Sequence, residues 1–74
     1  MTKLAVPIRS RLEFDAASST TNYVGEAAFN VATSAPFWRI KRLSYTSGSI
    51  SIDWADGNDN FDNVWDNRTS LSYS

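Results

Sequence analysis

From Ser49 to Trp54 the apolar residues Ile50, Ile52 and Trp54 occupy every second position, with Ser51 and Asp53 between them. A pleated strand turns successive side chains to opposite faces, so this spacing predicts a strand with one apolar and one polar face; a helix would scatter the three around its circumference. A second alternation runs over residues 4–14. Leu4, Val6, Ile8, Leu12 and Phe14 fall on even positions, Ser10 fills the gap, and Arg9, Arg11 and Glu13 take the other side. Pro7 has no amide hydrogen to donate, so this strand belongs at a sheet edge or begins pairing after Pro7. Charges beside an edge strand discourage aggregation, yet such an edge also offers a strip on which a neighbouring chain can dock.

Between these stretches the pattern is mixed. Trp38 and Ile40 share one face of a predicted strand, Leu43 and Tyr45 the other, and Arg39, Lys41 and Arg42 interrupt. Such a change of phase predicts either a bulge between Ile40 and Leu43 or a strand that is apolar on both sides. Thr46, Ser47, Gly48 and Ser49 suit a tight connection, which makes residues 38–54 a β-hairpin turning at Ser47-Gly48. Residues 15–22 (DAASSTTN) read as a polar loop, Tyr23, Val24 and Gly25 as a short strand, and residues 26–35 as a helical turn or an irregular crossing. Pro36 holds Ala35 extended. Further on, Asp56-Gly57 signals a turn. The spacing of Phe61, Val64, Trp65 and Arg68 predicts a short helix within residues 60–67, capped by Asp59 or Asn60. Leu71 and Tyr73 alternate with serines, so the chain is expected to end in a strand tied into a sheet. The fold class that results is all-β: one small domain over residues 1–74, a sheet or a sandwich- or barrel-like arrangement with one short helix. Its expected core is Trp38, Trp54, Trp65 and Phe61, joined by Ile50 and Ile52.

Composition changes this picture in one direction. A chain of 74 residues buries only around 60% of its unfolded surface, so a lone core is marginal. With no cysteine there is no disulfide or thiolate metal site, and with no histidine the usual neutral-pH base is missing. Aromatic packing, at 14% of residues, and assembly with other chains are the remaining sources of stability. Residues 1–45 hold six Lys or Arg against three Asp or Glu, a balance of +3, whereas residues 46–74 hold five Asp and one Arg, a balance of −4. Such a chain either pairs head to tail with copies of itself or interleaves its halves so that the charges cancel. Pro7, Arg9 and Arg11 break any apolar run of signal-peptide type, and no stretch has the length of a bilayer span; a soluble protein made in a reducing cytoplasm is expected.

Four constellations invite chemistry. Asp56, Asn58, Asn60 and Asp62 alternate as calcium ligands do, with Asp53 nearby, but Gly57 stands second rather than sixth and no Glu closes the loop. A solvated turn explains them as well. Two of these carboxylates as a glycosidase pair would need a desolvating cleft that so small a chain hardly provides, and no nucleophile and base can be named, so no enzyme is expected. Phe37, Trp38, Arg39, Lys41 and Arg42 resemble a strand for stacking single-stranded nucleic acid, but core tryptophan with guarding cations is the simpler explanation. Asn67-Arg68-Thr69 matches a glycosylation sequon by chance in a chain without a secretory signal. No cofactor is expected. Arg9 and Arg11 on the first strand and Arg39, Lys41 and Arg42 on the basic strand are the candidates for contact with neighbouring subunits.

The segments YVGEAA (23–28), ATSAPFWRIKRLSY (32–45) and IDWADGNDNFDNVWDNRTSLSYS (52–74) resemble short proteins encoded among the virion genes of tailed bacteriophages. The resemblance covers roughly the last two thirds of the chain. Its most specific part is the tryptophan strand followed by WADG, FDNVWDNR and a terminal Leu-Ser-Tyr. It implies a non-enzymatic structural role in the virion, in the tail, fibre region or head surface, with copies of the chain and other virion proteins as partners. It carries no catalytic or ligand residue. The alternative is a recognition module whose loop over residues 56–62 holds calcium or a glycan.

Overall fold

The computed structural model describes residues 10–74, so Arg9 and the strand expected over residues 4–9 lie outside the described residues. Four strands, β1 (Ser10–Asp15), β2 (Thr21–Ala28), β3 (Arg39–Thr46) and β4 (Ser49–Trp54), form one antiparallel sheet in the order β1-β2-β3-β4. The all-β expectation holds. β1 is an edge strand, one of the two outcomes expected from Pro7, and β3 is interior. The predicted hairpin is β3-β4, closed by Ser47 (φ 42°) and Gly48 (φ 87°), with Thr46 opposite Ser49. Two positive φ values in a two-residue loop match the twist of the strands that it joins. The short strand expected at Tyr23 extends to eight residues, and the expected loop shrinks to residues 16–20.

No bulge occurs in β3. Its register is unbroken on both sides, from Thr21 opposite Ser44 to Glu26 opposite Arg39 and from Lys41 opposite Trp54 to Thr46 opposite Ser49. Regular alternation therefore sends Trp38 and Ile40 to one face and Leu43 and Tyr45 to the other.

Among the described residues only one face is covered. Residues 29–38 and 55–74 fold across it and build a core of Ala27, Trp38, Ile40, Ala55 and Trp65, with Tyr23, Val31, Leu71 and Tyr73 packed around them. The Trp38 and Trp65 rings lie 6.1 Å apart, and the Trp38 indole N–H donates to the Ala32 carbonyl at 2.9 Å. Gly25 makes this possible. A Cβ there would stand 2.5 Å from Trp65 Cε3 and 3.2 Å from Trp38 Cε3.

The expected core is corrected in four residues. Ile50, Ile52 and Phe61 are 60%, 55% and 49% exposed, and Trp54 is only half-buried. Alternation identified β4 as a strand, but the side that it turns to the core face is the polar one: the sheet register puts Ser49, Ser51 and Asp53 on the same face as Ile40, with the two serines exposed beyond the core. The expected helix is also displaced. A 3₁₀ helix spans Trp65–Ser70, its N-cap Val64 makes no side-chain cap bond, and neither Asp59 nor Asn60 caps it. Residues 61–64 are held extended instead, because Asn63 and Trp38 exchange backbone hydrogen bonds of 2.9 Å in both directions. The C-terminus is tied in as expected, though by a bridge from Ala55 to Tyr73 and a reciprocal pair of 3.1 Å bonds between Trp54 and Ser74 rather than by a full strand.

Candidate assembly surface

The uncovered face of the sheet follows from the register. It carries Leu12 and Phe14 from β1, Asn22, Val24 and Glu26 from β2, Arg39, Lys41, Leu43 and Tyr45 from β3, and Ile50, Ile52 and Trp54 from β4. Leu12 and Phe14, at 63% and 62% exposure, stand on one edge strand, and the open isoleucines of β4 stand on the other. Isolated exposed apolar residues are ordinary on a protein surface; a contiguous set across four strands is not.

Polar groups on this face are matched to one another. The Asn22 amide donates to the Tyr45 hydroxyl at 2.9 Å, which orients both side chains. Arg39 Nε donates to Glu26 at 2.8 Å, and its guanidinium lies 5.7 Å from the Trp54 ring and 4.8 Å from the Phe61 ring. The Lys41 amine stands 5.5 Å from Trp54. Cations over aromatic faces keep their apolar stems flat on the sheet. At the Glu26 end a groove of about 470 Å³ opens between Glu26, Ala27, Ala28, Phe37, Arg39 and Phe61.

Arg11 and Arg42 point elsewhere. Both belong to the covered face: Arg11 pairs with Glu13 at 3.1 Å, whereas Arg42 pairs with Asp53 at 3.2 Å and lies 4.9 Å from the Tyr73 ring. The basic run is thus split by the pleat into two faces. Its strand is interior and has no free backbone edge. Arg68 completes the covered side by pairing with Asp15 at 2.9 Å, tying the C-terminal segment to β1. The pairs Arg42–Asp53, Arg39–Asp59 and Arg68–Asp15 each join the basic half of the chain to the acidic half. The charge separation along the sequence is interleaved by the fold.

Tyr73 has a displaced titration. Burial, with the neighbouring Tyr23 adding to it, pushes its hydroxyl up from 10.0 to about 12, while its O–H donates to the Arg68 carbonyl at 2.8 Å.

In the acidic loop the Asn side chains serve the turn itself: the Asn60 amide donates to Asn58 Oδ1 at 2.9 Å, and Asn58 Nδ2 to the Asp56 carbonyl at 3.3 Å. Among the described residues no three carboxylates converge as metal ligands, and no helix is long and apolar enough to cross a membrane. The stacking set is divided as well, since Trp38 is buried beneath the residue 29–38 arm.

Of the residues on the open face, Arg39 and Lys41 stand out in the sequence as contact candidates, whereas Leu12, Phe14, Val24, Leu43, Tyr45 and the isoleucines do not stand out as parts of one surface. The signal was present. A two-residue turn at Ser47-Gly48 puts Leu43 opposite Ile52 and Tyr45 opposite Ile50, and Trp38 and Ile40 then necessarily face the other way. Comparison with protein-family models, with curated proteins and with solved structures finds no match.

Proposed function

We propose that this chain is a non-enzymatic structural subunit of a tailed-phage particle, in its tail, fibre region or head surface, and that it works by assembling through the open face of its sheet. The observation that carries the assembly reading is the apolar set on that face. A free Leu, Ile or Phe offers roughly 150–200 Å². At exposures of 55–63%, Leu12, Phe14, Ile50 and Ile52 together leave roughly 400 Å² open. At about 25 cal/mol per Å² its burial is worth on the order of 10 kcal/mol before the costs of association, which are of similar size. The half-buried Val24, Leu43, Tyr45 and Trp54 supply the remainder.

The particle setting rests on the resemblance of residues 23–28, 32–45 and 52–74 to short virion-gene products. Partners are therefore copies of the chain and other virion proteins. The experiment is detection of the chain in purified particles by mass spectrometry, alongside particles grown with an Ile52→Asp variant. Wild-type chain is expected in stoichiometric amounts and the variant at least tenfold depleted. A chain absent from purified particles contradicts the proposal.

A further inference from the structure

Resting on the assembly reading, we propose that the occupant of the open face is a second copy of this chain, the two sheets packing face to face as a two-layer sandwich. Sheets stack about 10 Å apart with their inner side chains interdigitated, and a dimer of this kind lays a second layer over the face that the described residues leave open.

Two features of the face select a copy of itself as occupant. The first is charge. Glu26 on β2 stands opposite Arg39 on β3 in the register. A two-fold axis running along the strands midway between β2 and β3 lays β2 of each copy over β3 of the other. Glu26 of one copy then meets Arg39 of the other, twice over. The same axis sets β1 over β4, so that Phe14 meets Trp54 and Ile52 across the interface. A self-complementary patch of this sort is what an isologous dimer requires. The second feature is area. Leu12, Phe14, Ile50 and Ile52 leave roughly 400 Å² open, about half of the roughly 800 Å² per partner of a standard interface, and the partly exposed side chains between them add to it.

The test exploits two adjacent residues. Ser51 and Ile52 are both exposed, and the pleat turns them to opposite faces of the same edge strand. The mass of the full-length chain is followed by light scattering from micromolar to near-millimolar concentration, with circular dichroism as the check on folding. Wild type is expected at twice 8.3 kDa, falling towards 8.3 kDa on dilution. Ile52→Asp should raise the dissociation constant on the order of a hundredfold, and Ser51→Asp should leave it within a few-fold. Phe14→Asp, on the opposite edge strand, repeats the test should Ile52→Asp not fold. A folded wild-type monomer at every concentration overturns the proposal, as does equal weakening by both position 51 and position 52 variants, which would move the interface to the strand edge. Blotting of purified particles keeps the two ideas apart: a monomer present in particles refutes the dimer and leaves the structural role standing, whereas a dimer absent from them does the reverse.

Discussion

Gly25 is where a single atom decides the packing. Its missing Cβ is the space in which the Trp65 ring sits, with Cε3 at 2.5 Å and Cζ3 at 2.8 Å from the position that a Cβ would take. Gly25→Ala therefore displaces an indole already held against Trp38, and is expected to destabilise the fold by about 2–3 kcal/mol in urea unfolding. An unchanged midpoint would mean that Trp65 packs elsewhere. Tyr73 gives a second test at this scale. Its folded pKa of about 12 exceeds the unfolded value of 10.0, so the folded state holds the proton more tightly. The stabilisation is complete below pH 10 and is lost as pH rises towards 12. Tyr73→Phe should remove that part of the decline, whereas an identical alkaline slope in the variant would contradict the assignment. These roles were poorly legible. Nothing in the string YVGEAA says that its glycine receives a tryptophan forty residues later, because the contact depends on tertiary register.

The β3-β4 hairpin shows what local pattern can and cannot reveal. Its strands, their boundaries and its turn were all legible, since alternation and turn chemistry act over a few residues. Which side of β4 faces inward was not, because that depends on where residues 29–38 and 55–74 cross the sheet. The change of phase between Ile40 and Leu43 was a true signal of two apolar faces rather than of a bulge. The stripe of Phe61, Val64, Trp65 and Arg68 failed for a related reason. Asn63 pairs with the Trp38 backbone at 2.9 Å in both directions, and that bridge outweighs a helix of two turns. At the hairpin tip a Cβ on Gly48 meets nothing within 4 Å, so the cost of Gly48→Ala is purely that of φ at 87°. About 1 kcal/mol is expected. Ser47→Asn, which tolerates positive φ better, should raise the melting temperature. Opposite signs in thermal unfolding would contradict the turn geometry.

At the scale of the whole molecule, the described residues cover the sheet on one side only. The covered side gathers the small residues Gly25, Ala27 and Ala55 around Trp38 and Trp65, and the open side gathers the exposed Leu12, Phe14, Ile50 and Ile52. A chain of this size gains from burying the second face what it cannot gain from enlarging the first. Its stability should therefore depend on its concentration, a link that melting curves at increasing protein would show. The tryptophans provide the most direct measurement. Trp38 and Trp65 are buried in the chain itself, whereas Trp54 lies only partly buried on the open face. Acrylamide quenching of tryptophan fluorescence is to be compared at concentrations that associate and dissociate the chain. The account predicts one tryptophan protected on association, with that change absent from a Trp54→Phe variant. Association with Trp54 quenched as strongly as before would place the interface elsewhere and contradict the account.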